Sequence, residues 1–139
     1  AIAATNAAAP DLILLTGDFV TKDPAEIYPL IPWLKGLESR YGIYAALGNH
    51  DNRSRQSRPT VTRALQSIDI QVLWNEVVFP LGADLALVGL ADYWSPEFQP
   101  ALVMQTIADH VPRIVLSHNP DSAEKLQSWR VDLQLSGHT

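Results

Sequence analysis

The sequence predicts an α/β fold, a layered α/β/α sandwich built on a mixed sheet. Short apolar runs of strand length alternate with helical segments through most of the 139 residues. Three strand-like runs follow one another in the middle of the chain, at 70–74, 76–81 and 85–94, with a Gly-Ala-Asp turn before the last. Several runs are apolar on both faces, which is typical of parallel strands covered on both sides.

The first part of the chain predicts a helix, a strand and a second helix. The Ala-rich residues 1–9 are typical of a helix end that the following proline stops. A buried parallel strand follows at 11–18. Asp23 is suited to cap the second helix, which Pro29 and Pro32 should bend or shorten.

The remaining elements complete one domain, predicted to span residues 1–139. Since the chain begins without Met and stops as a loop begins, we expect it to be truncated at both ends. Besides the three central strands, the predicted elements are strands at 42–49, 113–121 and 131–139 and helices at 60–68, 99–110 and 122–129.

Composition narrows the functional classes. The formal net charge of -5 argues against a general nucleic-acid binder, so we expect no nucleic-acid partner. The absence of cysteine excludes disulfides and thiolate metal sites. No apolar run reaches the length of a membrane span, and no signal peptide is visible. A cytoplasmic or membrane-associated location is expected, with peripheral membrane association and oligomeric state left open.

Four predicted strands end in polar residues, in Thr-Gly-Asp, Gly-Asn-His-Asp, Ser-His-Asn-Pro-Asp and Ser-Gly-His-Thr. Ligands bind outside the carboxyl ends of strands in open α/β sheets. Asp, Asn and His side chains without Cys suit Mn²⁺, Fe²⁺, Zn²⁺ or Mg²⁺. His110 lies at a predicted helix end, where a capping or solvated role is expected. The side chains expected to converge at one edge are Asp18, Asn49, His50, His118 and His138.

These blocks, in this order, resemble the calcineurin-like metallophosphoesterase superfamily. "GDFVT" matches the family's second motif except at Thr21, where the family has an acidic or amide residue. "GNHD" matches the third motif in full, "SHNP" supplies a lone histidine, and "SGHT" matches the start of the last. The family's first motif, Asp-x-His, and its final histidine have no counterpart in the chain.

The resemblance implies a hydrolase of phosphodiester, phosphomonoester or pyrophosphate bonds that uses two divalent ions and a hydroxide bridging them. Asp18 would bridge the ions, and Asn49, His118 and His138 would complete the second metal site. His50 would be the general acid rather than a ligand. Asp51 would orient His50 and raise its basicity.

Two segments, "PDLILLTGDFV" and "YGIYAALGNHD", more narrowly resemble bacterial membrane-associated phosphoesterases related to UDP-diacylglucosamine pyrophosphatase. This implies a small-molecule or lipid-linked phosphoester substrate. The alternative is a catalytically inactive scaffold or binding protein of the same fold, against which the intact Asn49 and His50 argue. An unrelated nucleotide binder ranks last, since no glycine-rich phosphate loop is present.

A few further side chains have two interpretations each. Asp92 borders the site or caps a turn. Arg53, Arg55 and Arg58 form a solvated loop or a patch that steers phosphate. The four tryptophans are expected in the core or at the rim, at Trp33, Trp74, Trp94 and Trp129.

Overall fold

The computed structural model describes residues 1–138, which form two sheets with helices on their outer sides. The first sheet holds β1 (Ile13–Leu15), β2 (Ile43–Ala45) and β3 (Ile70–Val72), all parallel. The second has the order β4-β5-β6-β7, and its strands are β4 (Glu76–Val78), β5 (Ala86–Gly89), β6 (Arg113–Leu116) and β7 (Leu133–Leu135). In this sheet β4 runs antiparallel to β5, whereas β5, β6 and β7 are parallel.

The helices of the described range are short. The α-helices are α1 (Ile2–Ala7), α2 (Ile31–Leu34), α3 (Ser57–Gln66) and α4 (Ala101–Met104). Turns of 3₁₀ helix cover Pro24–Leu30, Gly82–Asp84 and Pro120–Lys125. None of the helices described for residues 1–138 is long and apolar enough to span a membrane.

The apolar residues form three layers. Ala46, Leu73, Leu87 and Leu116 pack between the two sheets and join them. A second cluster, which includes Ile27, Val61 and Leu65, fills the space between the first sheet and its helices. A third, which includes Val88, Met104 and Val115, does the same behind the second sheet. The predicted α/β sandwich is confirmed, and its sheet layer consists of two facing sheets.

Local sequence explains where the helical segment at 24–34 begins and where it breaks. The Asp23 carboxylate accepts a hydrogen bond from Ala25 N–H at 2.8 Å, in the capping box it forms with Glu26. Pro29 breaks the helix here into a 3₁₀ turn followed by α2, as predicted. The helices predicted at 99–110 and 122–129 are much shorter than expected. After α4 the Thr106 hydroxyl donates to Val103 C=O, a local bond that competes with a continued α-helix.

A substitution at the junction of the two sheets tests this packing. A Cβ on Gly89 would collide with the Leu73 side chain between the sheets. Gly89→Ala should therefore lower the free energy of unfolding by about 1–3 kcal/mol, the usual cost of overpacking. Urea denaturation measures it. Gly36→Ala, whose Cβ would lie 3.3 Å from its nearest neighbour, is the control and should cost less than half as much. Equal losses would show that the sheet junction is not tightly packed.

Candidate metal centre

The polar strand ends meet at the seam between the two sheets. Asp18 follows β1 in the first sheet, and His118 and His138 follow β6 and β7 in the second. Each offers one ligand atom, and these three atoms lie within 4.8 Å of one another. Two ligands that share an ion at about 2.0–2.5 Å lie at most about 4–5 Å apart. The spacing therefore suits a common cation.

His118 is the most firmly fixed of the three. Its ring is buried, and Nδ1 lies 2.7 Å from the backbone carbonyl of Thr16. Since a carbonyl only accepts hydrogen bonds, Nδ1 carries the proton and Nε2 has a free lone pair. Nε2 is buried and makes no hydrogen bond within residues 1–138. A backbone carbonyl that orients an imidazole in this way is the usual support of a metal-binding histidine.

Asp18 lies next to that free lone pair. Its Oδ2 is 3.3 Å from His118 Nε2, and its Oδ1 accepts a hydrogen bond from the backbone N–H of His50 at 3.2 Å. A carboxylate oxygen and an imidazole lone pair both accept, so they need a proton or a cation between them. This donor set fits a divalent metal ion.

Asn49 supplies a further unpaired oxygen. Its Oδ1 is buried and has no hydrogen-bond partner in the described part of the chain. Asn49 directly follows Gly48, whose Cα faces the Asp18 carboxylate so closely that a Cβ there would collide with it. A buried amide oxygen without a partner is costly, and a bound cation would satisfy it.

His138 is placed by backbone bonds and by ring packing. The backbone N–H groups of His138 and Gly137 both donate to the backbone carbonyl of His118, at 2.9 and 3.1 Å. Its ring packs edge-to-face against the rings of His118 and Trp94, with centroids 5.2 and 5.0 Å apart. Trp94, expected in the core or at the rim, is a wall of the site and is 58% exposed.

Three glycines precede the expected ligands, and they act in two ways. Gly17 has a φ of 96°, a backbone conformation open to glycine, and it turns the chain after β1. Gly48 and Gly137 have no positive φ. They allow close approach instead, because a Cβ on Gly48 would meet Asp18 and one on Gly137 would meet Thr16.

The role expected of Asp51 is corrected. Its fully buried carboxylate accepts hydrogen bonds from four backbone N–H groups, those of Asp18, Phe19, Val20 and Gly48, at 2.8–3.1 Å. Burial raises the pKa of the Asp51 carboxyl, and the N–H groups partly oppose that rise. Asp51 thus joins the loop after β1 to the loop after β2. Asp51 was expected to orient His50. Its carboxylate instead bonds to backbone N–H groups and points away from the neighbouring His50 side chain.

His50 has a different partner. Its Nδ1 lies 2.7 Å from the Thr21 carbonyl, so Nδ1 carries a proton here as well. Arg53 Nη1 lies 3.4 Å from the same carbonyl, which places this arginine beside His50. The Thr16 and Thr21 carbonyls that orient the two histidines carry no signal in a single sequence.

The other side chains singled out in the sequence have separate places. Arg58 pairs with Glu97 at 2.8 Å and lies over the Trp74 ring, so its charge is already compensated. Arg55 is exposed in the polar loop. His110 is exposed and does not belong to the cluster of Asp18, His118 and His138. Asp92 is buried, with one carboxylate oxygen unpaired among residues 1–138.

The Asp51 contacts generate a testable prediction. In Asp51→Asn the amide NH₂ would face two of the four backbone N–H donors, which would lose their acceptor. We expect the free energy of unfolding to fall by about 2–5 kcal/mol, from two unpaired buried donors. Metal affinity should fall too, since the two loops carry the candidate ligands Asp18 and Asn49. Chemical denaturation and calorimetric Mn²⁺ titration measure the two effects.

Asp69→Asn is the matched control for this variant. Asp69 is exposed and has a φ of 62°, which asparagine also tolerates. It should leave both quantities nearly unchanged. If Asp51→Asn behaved like this control, the carboxylate would not be what joins the two loops.

Comparisons with known proteins identify the family of the chain. The chain is 34% identical to the phosphodiesterase YaeI of Escherichia coli over 134 residues, covering 94% of the chain and 48% of the relative. It is 25% identical to the UDP-2,3-diacylglucosamine pyrophosphatase LpxG of Chlamydia trachomatis, covering 94% and 54%. It is 30% identical to the uncharacterized metallophosphoesterase YkuE of Bacillus subtilis, covering 96% and 48%.

The chain thus spans about half the length of these relatives. No solved structure matches it significantly. The sequence profile of the calcineurin-like phosphoesterase family matches residues 2–139. The chain belongs to the calcineurin-like phosphoesterase family.

Proposed function

We propose that the protein is a divalent-metal-dependent hydrolase of phosphate esters, with its reaction centre at the seam between the two sheets. The observation that carries this proposal is the orientation of His118. The Thr16 carbonyl holds the proton on Nδ1, and the free Nε2 lone pair faces the Asp18 carboxylate at 3.3 Å. A scaffold protein has no physical reason to keep a buried, unpaired imidazole nitrogen facing a carboxylate oxygen.

The residues that would hold metal are Asp18, Asn49, His118 and His138. When bound, divalent cations would polarise the phosphoryl oxygens and lower the pKa of a water molecule. A second cation, which the family resemblance implies, needs ligands beyond these four. Mn²⁺, Fe²⁺, Zn²⁺ and Mg²⁺ all suit oxygen and imidazole ligands, so the ion's identity is a matter for metal analysis.

His50 is the general acid in this proposal. Its Nδ1 proton is engaged by the Thr21 carbonyl, so Nε2 is the atom that would give a proton to the leaving oxygen. The same carbonyl would stabilise the imidazolium form and fix the ring orientation. Arg53, beside this carbonyl, adds positive charge where an anionic substrate would approach.

The substrate is proposed at the level of a phosphodiester or pyrophosphate, because the relatives YaeI and LpxG are named a phosphodiesterase and a pyrophosphatase. Trp94 presents a largely exposed ring beside His138. It would offer apolar contact to a substrate whose phosphate carries an aromatic or lipid-like group. A small-molecule or lipid-linked phosphoester fits both observations.

Removal of metal tests the reaction class. With Mn²⁺, protein expressed from the complete gene should hydrolyse bis(4-nitrophenyl) phosphate. EDTA should abolish hydrolysis, and excess Mn²⁺ should restore it. Asp18→Asn should abolish both activity and metal content, since asparagine keeps the left-handed backbone but removes the charge. Asp84→Asn, at an exposed acid, is the control. Hydrolysis that survives EDTA would refute the proposal, and metal-free, inactive wild type would favour the scaffold alternative.

A second experiment separates the acid from the ligands. His50→Gln should keep its metal, because His50 is not proposed as a ligand, while kcat falls by about 10²- to 10⁴-fold. The loss should be smaller for 4-nitrophenyl esters than for alkyl esters, whose leaving oxygens need a proton more. Metal analysis and kcat on both ester types decide the matter. Loss of metal, or a penalty independent of the leaving group, would remove His50 from the acid role.

A further inference from the structure

Asp92 lies at the same seam as the candidate ligands, and its sequence position suited either a border of the site or a turn cap. It comes three residues after the end of β5, whose parallel neighbour β6 leads to His118. Backbone pairing continues beyond both strands, because Leu90 N–H donates to Leu116 C=O at 2.9 Å. Gly89 is paired with Leu116, so Asp92 emerges beside the segment that carries His118.

The Asp92 carboxylate is buried without full compensation. The residue is 4% exposed, and its Oδ1 has no hydrogen-bond partner in residues 1–138. Burial raises the pKa of this carboxyl and outweighs the opposing effect of the Trp94 N–H. The charged or titratable groups that act on it are Asp18, His118 and His138. These three residues are the members of the candidate metal cluster.

Asp92 is nevertheless not one of the clustered ligands. The group of acids and histidines whose ligand atoms lie within 4.8 Å of one another includes Asp18 but not Asp92. Of the four proposed ligands only Asp18 is anionic, so they leave a divalent ion with uncompensated positive charge. A second carboxylate, buried nearby with a free oxygen, would supply the missing negative charge.

We propose that Asp92 is a positioning residue of the metal centre, an outer carboxylate that compensates the charge of the bound cation and accepts a hydrogen bond from its surroundings without ligating it. This inference rests on the proposed function, since it presupposes a divalent ion. It explains why an acid with an unpaired oxygen is buried at the seam. A turn cap alone would not account for the free oxygen.

Asp92→Asn separates charge compensation from a turn cap, because asparagine keeps the shape and an acceptor oxygen and removes the charge. Calorimetric titration of the metal-free protein with Mn²⁺ should show a Kd about 10- to 100-fold weaker than that of the wild type, the usual effect of changing a group behind the ligands. The Tm of the metal-free variant should equal or exceed that of the wild type. Burying a neutral amide there costs less than burying a charge.

Asp92→Ser, which keeps a small acceptor, should weaken Mn²⁺ binding to a similar extent. Asp84→Asn removes one exposed acidic charge and should change neither Kd nor Tm. Unchanged affinity in Asp92→Asn would overturn the proposal, as would a lowered metal-free Tm or failure to fold, which indicate a structural cap. If the wild type itself bound no Mn²⁺, the metal centre and this inference would both fail. Weaker Mn²⁺ binding in the two Asp92 variants, with unchanged binding in Asp84→Asn, supports the inference.

Discussion

The buried Asp51 carboxylate is the interaction on which the site depends. Four backbone N–H groups from two loops donate to its two oxygens. The loop after β1 passes through consecutive left-handed residues, Gly17 and Asp18, a conformation that is unfavourable without support. The carboxylate supplies that support and satisfies donors that the left-handed turn points inward. Since Asp18 and Asn49 lie in the two loops so joined, the positions of both depend on a residue that touches no ligand atom.

The second constraint is the contact between the two sheets. Asp18 and Asn49 follow strands of the first sheet, whereas His118 and His138 follow strands of the second. The side chains that hold the sheets together are the apolar cluster of Ala46, Leu73, Leu87 and Leu116. The Thr16 carbonyl crosses the seam to hold His118, so the orientation of that ring reports the alignment of both sheets. A site shared in this way forms only once the whole sandwich has assembled.

The sequence was sufficient for the fold class and for the positions of the strands along the chain, because apolar runs of strand length are visible in it. It did not show that the strands divide into two sheets. It also located the convergence of Asp18, His118 and His138, since parallel strands bring their carboxyl ends to one edge. It failed for Asp51, where adjacency to His50 suggested an imidazole partner. Side chain to backbone contacts over 30 or more residues, such as Asp51 to Val20, leave no local pattern. The helix predicted at 99–110 was also too long, because the Thr106 hydroxyl donates to the backbone carbonyl of Val103.

An acidic protein would repel an anionic substrate unless its site carried positive charge. The chain has a formal net charge of -5, and three of its acidic residues, Asp18, Asp51 and Asp92, lie at the seam. Asp51 is compensated by backbone dipoles, and Arg58 is already engaged by Glu97 and Trp74. Arg53 remains the basic side chain placed beside His50. The positive charge of Arg53 does not cancel the negative charges of Asp18 and Asp92, which would repel an approaching phosphate ester. Bound divalent cations would reverse the local sign, so the acidic character of the seam is itself a physical argument for metal-dependent phosphoester chemistry.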